Sequence, residues 1–265
     1  MRKTYKNKLV NAIAFELREN KSSFIVYTIL RALVIVVAIL QFLNKNYENV
    51  FMCVLTLILF IIPSIVQMTF KIDIPKELEI IIYIFIFSAE ILGEINNYYV
   101  TVPYWDKMLH TINGFLAAAI GFSLVHLLNE NEKLEFDLSP IFLVMVSFCF
   151  SMTIGIIWEF LEFTLDMILG TDCQKDAVVN TIRTVALSTD GSMSVIKNID
   201  SVSVNGNLLP IQGYLDIGLI DTMQDLFVNF IGAGVFAVFG FLYLKHNERG
   251  NIVTYLMPLK KKRDD

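Results

Sequence analysis

The sequence predicts an all-α fold: a polytopic membrane protein of six transmembrane helices, with one extracytoplasmic loop that contains a candidate β-hairpin. Three observations lead to this prediction. The chain is 55% hydrophobic, more apolar than an ordinary soluble domain. Its apolar residues fall in six runs of about 20 residues, the length that crosses ~30 Å of hydrocarbon. Lysines and arginines are concentrated near both ends of the chain.

The six runs define the predicted domain organisation. They lie at residues 23–43, 50–70, 78–97, 107–128, 140–163 and 221–244. Residues 1–21 are too charged for a cleaved secretory signal. They carry Leu9, Val10, Ile13 and Leu17 among lysines and arginines, so we expect an amphipathic segment on the cytoplasmic membrane surface. Residues 22–245 form the membrane domain, and residues 246–265 a basic cytoplasmic tail.

The orientation follows from the basic residues. An even number of spans places both tails on one side of the membrane, and the positive-inside rule makes that side the cytoplasm. The loop at residues 98–106 then lies outside, where it carries no lysine or arginine.

The loop at residues 170–220 is polar and long for a connection. Asn205-Gly206, flanked by alternating residues, is a strong signal for a tight hairpin. The segment 177–187 is compatible with a short helix. Two interpretations remain open for the loop: a lid over the outer end of the bundle, or a mobile connection without a role.

The outer halves of spans three to six carry polar residues at helical spacing. Residues three and four positions apart share a helix face, and charged groups in membrane helices tend to face protein or water. We therefore expect one acid-rich pocket in the outer leaflet, formed by Glu90, Glu94, Asp106, His110, Glu159, Glu162, Asp166, Asp221, Asp225 and Asn229.

Simpler explanations exist for several of these residues. Asp106 and Asp221 are each placed to cap the start of a helix, and Asp221 has Gln224 as its reciprocal partner. The glycines of span six, Gly232, Gly234 and Gly240, favour close helix packing. His110 would equally serve as a hydrogen-bonding tie between spans.

A cluster of acids in a low-dielectric region cannot remain fully ionised without compensation. Arg31, in span one, is one candidate counter-charge, but a single arginine cannot balance the set. Three solutions remain: a bound divalent metal, shared protons, or a water-filled cavity. Oxygen ligands with one imidazole suit Mg²⁺, Mn²⁺, Ca²⁺ or Zn²⁺, and the sequence does not choose among them.

An ordered set of motifs resembles a known family, and the likeness extends over spans three to six, a little over half of the chain. They read Asp106-Lys-x-x-His110-x-x-x-Gly114, then Trp158-Glu159-x-x-Glu162-x-x-x-Asp166, then Gln174, then Asp221-x-x-x-Asp225-x-x-x-Asn229-x-x-Gly232. This set is similar to the YjdF-like family of bacterial membrane proteins and, more distantly, to VanZ-like proteins. The resemblance implies a multi-pass protein of the bacterial plasma membrane, with these positions as its motif core. It carries no established reaction, and the long segment after Gln174 departs from the family pattern and leaves that residue's position open.

Three functional hypotheses follow. The first is a metal-dependent enzyme that acts on a lipid-linked or cell-envelope precursor, with His110, Glu159 and Asp225 as catalytic residues. Its metal ligands would be Glu159, Glu162, Asp221 and Asp225, and the other residues named, with Gln174 and Arg31, would complete the pocket. The second is a proton- or cation-coupled transporter. The third is a structural or accessory envelope protein. The expected partner is the lipid bilayer, and nothing in the sequence indicates nucleic acid.

Overall fold

The computed structural model describes residues 21–70, 72–129, 138–246, 252–256 and 259–260. The predicted amphipathic segment lies outside these residues except for Lys21, and so does most of the basic tail. The chain forms two compact units. The first comprises residues 1–152 and 229–265, and the second comprises residues 153–228.

The first unit is helical, with one short strand pair. Its elements are α1 (Lys21–Leu43), α2 (Tyr47–Leu59), α3 (Ile62–Phe70), β1 (Ile72–Asp73), α4 (Lys76–Phe87), a π-helix (Ser88–Ile95), α5 (Tyr98–Thr101), α6 (Trp105–Asn129), the first part of α7 (Pro140–Leu169), the last part of α8 (Leu219–His246), α9 (Ile252–Leu256) and β8 (Leu259–Lys260). Strands β1 and β8 pair antiparallel.

Five helical stretches within the described residues are long and apolar enough to cross a membrane. They are Ser22–Leu43, Tyr47–Thr69, Trp105–Asn129, Pro140–Leu169 and Leu219–Lys245. The predicted third span is different in kind. It consists of α4 continued by the π-helix, and it carries Glu79, Glu90 and Glu94 within its length. Five membrane helices are therefore present, and the sixth crossing stays a prediction.

The π-helix carries two acids that differ in exposure. Glu90 is 9% exposed, whereas Glu94 is exposed. That both carboxylates belong to one pocket stays a prediction.

Small residues allow α6 and α8 to approach closely. A methyl group built on Gly232 would lie 2.0 Å from the carbonyl oxygen of Thr111, and one on Gly114 would lie 2.2 Å from that of Asn229. Gly121 makes a similar approach to the Phe150 side chain of α7. Such contacts are what lipid-embedded helices use for association, because lipid tails give apolar side chains no advantage over protein.

The second unit contains the last part of α7, the first part of α8 and a β-rich insert between them. The insert has strands β2 (Ala177–Val179), β3 (Thr181–Thr184), β4 (Ser194–Lys197), β5 (Ser203–Val204), β6 (Asn207–Leu208) and β7 (Tyr214–Asp216). They pair antiparallel as β2 with β7, β3 with β4 and β5 with β6.

The helix considered for residues 177–187 was wrong. That segment contains β2 and β3, whose Val178, Val179 and Ile182 are β-branched and each face a partner strand. Strands β5 and β6 flank Asn205-Gly206, and both turn residues have positive φ values, 52° and 82°. Two consecutive left-handed residues are what a tight two-residue turn requires.

Candidate functional site

In the first unit, the start of α6 brings a carboxylate and an imidazole together. His110 Nε2 lies 3.5 Å from Asp106 Oδ1, and Lys107 Nζ lies 3.5 Å from Asp106 Oδ2. His110 is 6% exposed, whereas the Asp106 side chain is 21% exposed. The four-residue spacing produces this pair directly, because both residues lie on one helix face. The carboxylate can therefore hold the imidazole in one orientation.

Asn229, also in the first unit, ties three helices together. It is fully buried on α8. Its Oδ1 accepts a hydrogen bond from Asn113 Nδ2 of α6 at 3.4 Å, and its Nδ2 donates to the Ser151 carbonyl of α7 at 3.5 Å. Ser151 Oγ in turn donates to the Gly114 carbonyl at 2.7 Å. These contacts favour a role for Asn229 in helix association.

In the second unit, α7 presents one sheltered stripe on an otherwise exposed helix. Gly155 and Glu159 are buried, and Glu162 and Asp166 are partly buried, at the spacing that the sequence predicts. Glu159 is 3% exposed, and it and Glu162 each place a carboxylate oxygen within 4.8 Å of the other. Trp158 Nε1 donates a 2.7 Å hydrogen bond to Glu162 Oε1 and so fixes that carboxylate.

The first turns of α8 supply two further buried acids. Asp225 is fully buried and Asp221 is 8% exposed. With Asn229 and Gly232, they form the buried face of α8, as their spacing predicts.

Asp166 and Asp221 hold the turn that carries Gln174. Asp166 Oδ1 accepts hydrogen bonds from Thr171 Oγ1 and the Cys173 amide, both at 2.7 Å, and its Oδ2 accepts one from the Gln174 amide at 2.9 Å. Asp221 Oδ2 accepts from the Lys175 amide at 2.7 Å. Gln174 Nε2 donates to Thr222 Oγ1. The position of Gln174, open at the level of sequence, is therefore beside both acids.

The turn also affects Cys173, which lies beyond the end of α7. Burial raises the pKa of the Cys173 thiol, and the hydrogen bond to Thr171 works against this shift. The nearby Asp166 charge adds to the rise, because a negative neighbour disfavours the thiolate.

Arg31, in α1 of the first unit, contacts Tyr27. Its Nη1 donates a 2.9 Å hydrogen bond to the Tyr27 hydroxyl, and its guanidinium carbon lies 5.8 Å from the centre of the Tyr27 ring. Both residues line a cavity with Glu79. Its predicted role as counter-charge to the outer acids stays a prediction.

The sequence analysis missed two polar residues, the buried Glu79 and the half-buried Asn113. Glu79 lies near the predicted start of span three. An acid in the first turn of a helix is ordinarily explained by its interaction with the helix dipole, so its sequence position gave no sign of burial. Asn113 lies one residue from the predicted Gly114 position, and only the geometry of its amide contact with Asn229 identifies it.

Each unit thus offers its own pair of metal-type ligands. Asp106 and His110 supply one carboxylate and one imidazole in the first unit. Glu159 and Glu162 supply two carboxylates in the second. Carboxylate oxygens suit hard divalent cations, and adding an imidazole extends the choice to zinc.

Comparison with known proteins places the chain in a family. The sequence family described as "Predicted membrane protein (DUF2238)" matches residues 25–246, most of the chain. The chain belongs to this family. The DUF2238 match contains all five membrane helices except the first residues of Ser22–Leu43.

One curated relative of this DUF2238 protein is an uncharacterised protein of Thermotoga maritima. The two are 26% identical over 97 residues, which is 37% of this chain and 48% of the relative. The chain therefore spans about half the length of that relative. No solved structure matches the chain.

Proposed function

We propose that this protein is a membrane-embedded enzyme that uses a divalent metal to act on a lipid-linked or cell-envelope precursor. One observation carries the proposal: Glu159 is buried in a membrane helix with its carboxylate within 4.8 Å of that of Glu162. Two carboxylates this close in a low-dielectric region are stable when a cation lies between them or when they share a proton.

The proposed metal ligands are Glu159, Glu162, Asp221 and Asp225, all in the second unit. A divalent metal bound there would polarise a phosphoryl or carbonyl oxygen of the substrate or activate a water molecule. The protein's contribution would be to fix these carboxylates. Trp158 does so for Glu162, and the Lys175 amide does so for Asp221.

His110 is proposed as the general acid–base partner, because Asp106 holds its imidazole one helical turn away. That His110 acts together with Glu159 and Asp225 is an expectation from the sequence motifs alone. The same holds for the contributions of Glu90, Glu94, Asp166, Gln174 and Asn229 to one outer-leaflet pocket.

Metal analysis of the purified protein tests the proposal. The wild type is expected to retain close to one divalent ion per chain, and Glu159→Gln and Asp225→Asn each to lose most of it. Glu48→Gln and Asp200→Asn are matched controls, because Glu48 and Asp200 are exposed acids outside the proposed ligand set. Both controls are expected to bind metal like the wild type.

Two outcomes would contradict the enzyme. A metal-free wild type whose stability is unchanged in both variants would leave only a structural role for the acids. Metal that binds and also crosses the bilayer of proteoliposomes, in a manner that Asp225→Asn abolishes, would favour the cation-coupled transporter.

The proposal also covers the subfamily of the protein and its arrangement in the membrane. We infer that the DUF2238 protein is YjdF-like, because the motifs of spans four to six match that pattern. We further propose six crossings of a bacterial plasma membrane, with both termini in the cytoplasm and residues 170–220 outside. The sixth crossing would be α4 with its π-helix, and the basic residues near both ends support the orientation.

A further inference from the structure

A cavity in the first unit carries charges of both signs. It has a volume of about 570 Å³ and lies between α1, α3 and α4. Its polar lining consists of Ser23, Tyr27, Thr28, Arg31, Ser64, Glu79 and Tyr83. None of these residues except Arg31 belongs to the predicted outer-leaflet pocket, so the cavity needs a separate explanation.

Arg31 is the cation of this cavity. It is the tenth residue of the Ser22–Leu43 membrane helix, well inside the apolar stretch. A guanidinium has five N–H donors, and the Tyr27 hydroxyl accepts from one of its nitrogens. Among the described residues it forms no ion pair with a carboxylate. An arginine at this depth is costly to leave without an anion, so the cavity favours an anionic group beside Arg31.

Glu79 is the acid of the cavity. It is 5% exposed, and three side chains donate to its carboxylate: Ser23 Oγ, Tyr83 Oη at 3.0 Å and Gln67 Nε2 at 3.4 Å. A carboxylate has about four lone-pair sites, which leaves room for one more donor.

Two tyrosines, Tyr27 and Tyr83, connect the two ends of the cavity. The rings of Tyr27 and Tyr83 are 5.0 Å apart, and their hydroxyls contact Arg31 and Glu79 respectively. On the same helix as Arg31, Ile25, Ile29 and Val36 are exposed, as expected for a helix in contact with acyl chains. The cavity therefore places a buried carboxylate and an exposed guanidinium beside apolar side chains that can contact acyl chains.

We propose that this cavity binds the zwitterionic headgroup of a phospholipid that has a primary ammonium, with the phosphate on Arg31 and the ammonium on Glu79. A purely anionic headgroup would satisfy Arg31 but would also approach the acceptor oxygens of Glu79. A purely cationic one would leave Arg31 without an anion. A headgroup with both charges matches the cavity, and its acyl chains would follow the apolar surface of α1. This site is independent of the proposed metal chemistry.

Native mass spectrometry of the protein with mixed lipids tests the proposal. Three lipids separate the contributions of the phosphate, the positive charge and the N–H donors. Phosphatidylethanolamine has both charges and N–H donors, phosphatidylcholine has both charges without N–H donors, and phosphatidylglycerol has only the anion. The expected retention is ethanolamine first, choline second and glycerol last. Equal retention of the three lipids, or preference for phosphatidylglycerol, would overturn the proposal.

Two variants, each with a matched control, test whether Arg31 binds the phosphate and Glu79 binds the ammonium. Arg31→Gln is expected to weaken phosphatidylethanolamine retention about tenfold or more, the usual effect of losing a charge-assisted hydrogen bond. Glu79→Gln is expected to remove the preference for ethanolamine over choline. Arg183→Gln and Glu48→Gln change exposed residues outside the cavity and are expected to behave like the wild type.

Thermal unfolding of each variant shows whether it is folded, and the lipid ranking of the wild type tests the proposal without any variant.

Competition with soluble phosphoethanolamine shows whether the cavity binds a lipid or a free headgroup. If it displaces phosphatidylethanolamine at equal concentration, the cavity binds a soluble zwitterion and the lipid proposal is wrong. If it does not, the acyl chains contribute to binding, as proposed. Retention that is unchanged in Arg31→Gln would also contradict it.

Discussion

The carboxylate of Asp166 stabilises a turn that has no regular secondary structure. Residues 171–174 follow α7 without regular secondary structure, and the Asp166 carboxylate accepts hydrogen bonds there from two backbone amides and one hydroxyl. An ionised acid suits this role because both of its oxygens only accept. This local role is sufficient reason for an acid at position 166 and does not depend on a metal.

Asp166→Asn is expected to loosen this turn. Asparagine keeps one acceptor oxygen but replaces the other with a donor, so one of the amides at Cys173 and Gln174 loses its partner. The expected cost is about 1–3 kcal/mol of local stability. Hydrogen exchange at the two amides should accelerate. Asp172→Asn is the control, because the Asp172 side chain is 70% exposed and makes no contact with those amides.

The pH dependence of Cys173 alkylation gives a second readout of the same change. The Asp166 charge helps to raise the pKa of the thiol, so less of the reactive thiolate forms at a given pH. Removing that charge lowers the pKa, and the pH of half-maximal alkylation should fall in Asp166→Asn. Unchanged exchange together with an unchanged pH profile would show that Asp166 does not hold the turn.

For single residues, the sequence predicted which positions are buried or partly buried, but not which groups they contact. The spacing of Gly155, Glu159, Glu162 and Asp166 placed them on one stripe, because helical periodicity is local information. The partners of Asp166 come from a turn five to eight residues later, with no periodic signal. The contact of Asn229 with Asn113 joins residues more than one hundred positions apart, and helical spacing carries no information about it.

Helix α8 shows how one small residue decides the distance between two elements. Gly232 packs against the backbone of α6, where a side chain would meet the Thr111 carbonyl at 2.0 Å. Gly234, two positions later, has open space within 4 Å. The sequence grouped both as packing glycines, but a change of two residues turns a position to another side of the helix.

Gly232→Ala and Gly234→Ala form a matched pair on one helix. The first should destabilise the protein by about 1–3 kcal/mol, because backbone atoms must separate to admit the methyl group. The second should be neutral or stabilising by up to about 1 kcal/mol, because alanine favours the helix and meets nothing. Thermal unfolding in detergent measures both. Equal stability of the two variants would contradict the close approach of α6 and α8.

The segment formed by α4 and the π-helix shows a limit of element prediction. Its apolar run of about 20 residues fits a membrane span. Its continuation as a π-helix is a different matter, because hydrophobic length does not distinguish a π-helix from an α-helix. Gly93 lies in this π-helix, where a side chain would meet the Tyr99 ring at 2.3 Å. Hydrophobic length therefore identified the element but not its geometry.

For the whole molecule, the number of membrane crossings determines on which side of the membrane each terminus lies. Five membrane helices meet the criteria of length and apolarity in the described residues. An odd number of crossings places the two ends of the chain on opposite sides of the membrane, and an even number places them on the same side. Lysines and arginines near both ends favour the same side, the cytoplasm. The acids of the third segment make its crossing costly unless protein shelters them.

Labelling of single cysteines from outside intact cells decides the parity. The test uses a protein whose own Cys53, Cys149 and Cys173 are replaced by alanine, with one new cysteine near either end of the chain or at Asn205, the tip of the β5–β6 turn. Six crossings predict that Asn205→Cys reacts with an impermeant maleimide, while both terminal cysteines react only after the membrane is permeabilised. If one terminal cysteine reacts in intact cells and the other does not, the number of crossings is odd. The acids of α4 and the π-helix would then not cross the bilayer, and Glu90 and Glu94 could not belong to a pocket in its outer leaflet.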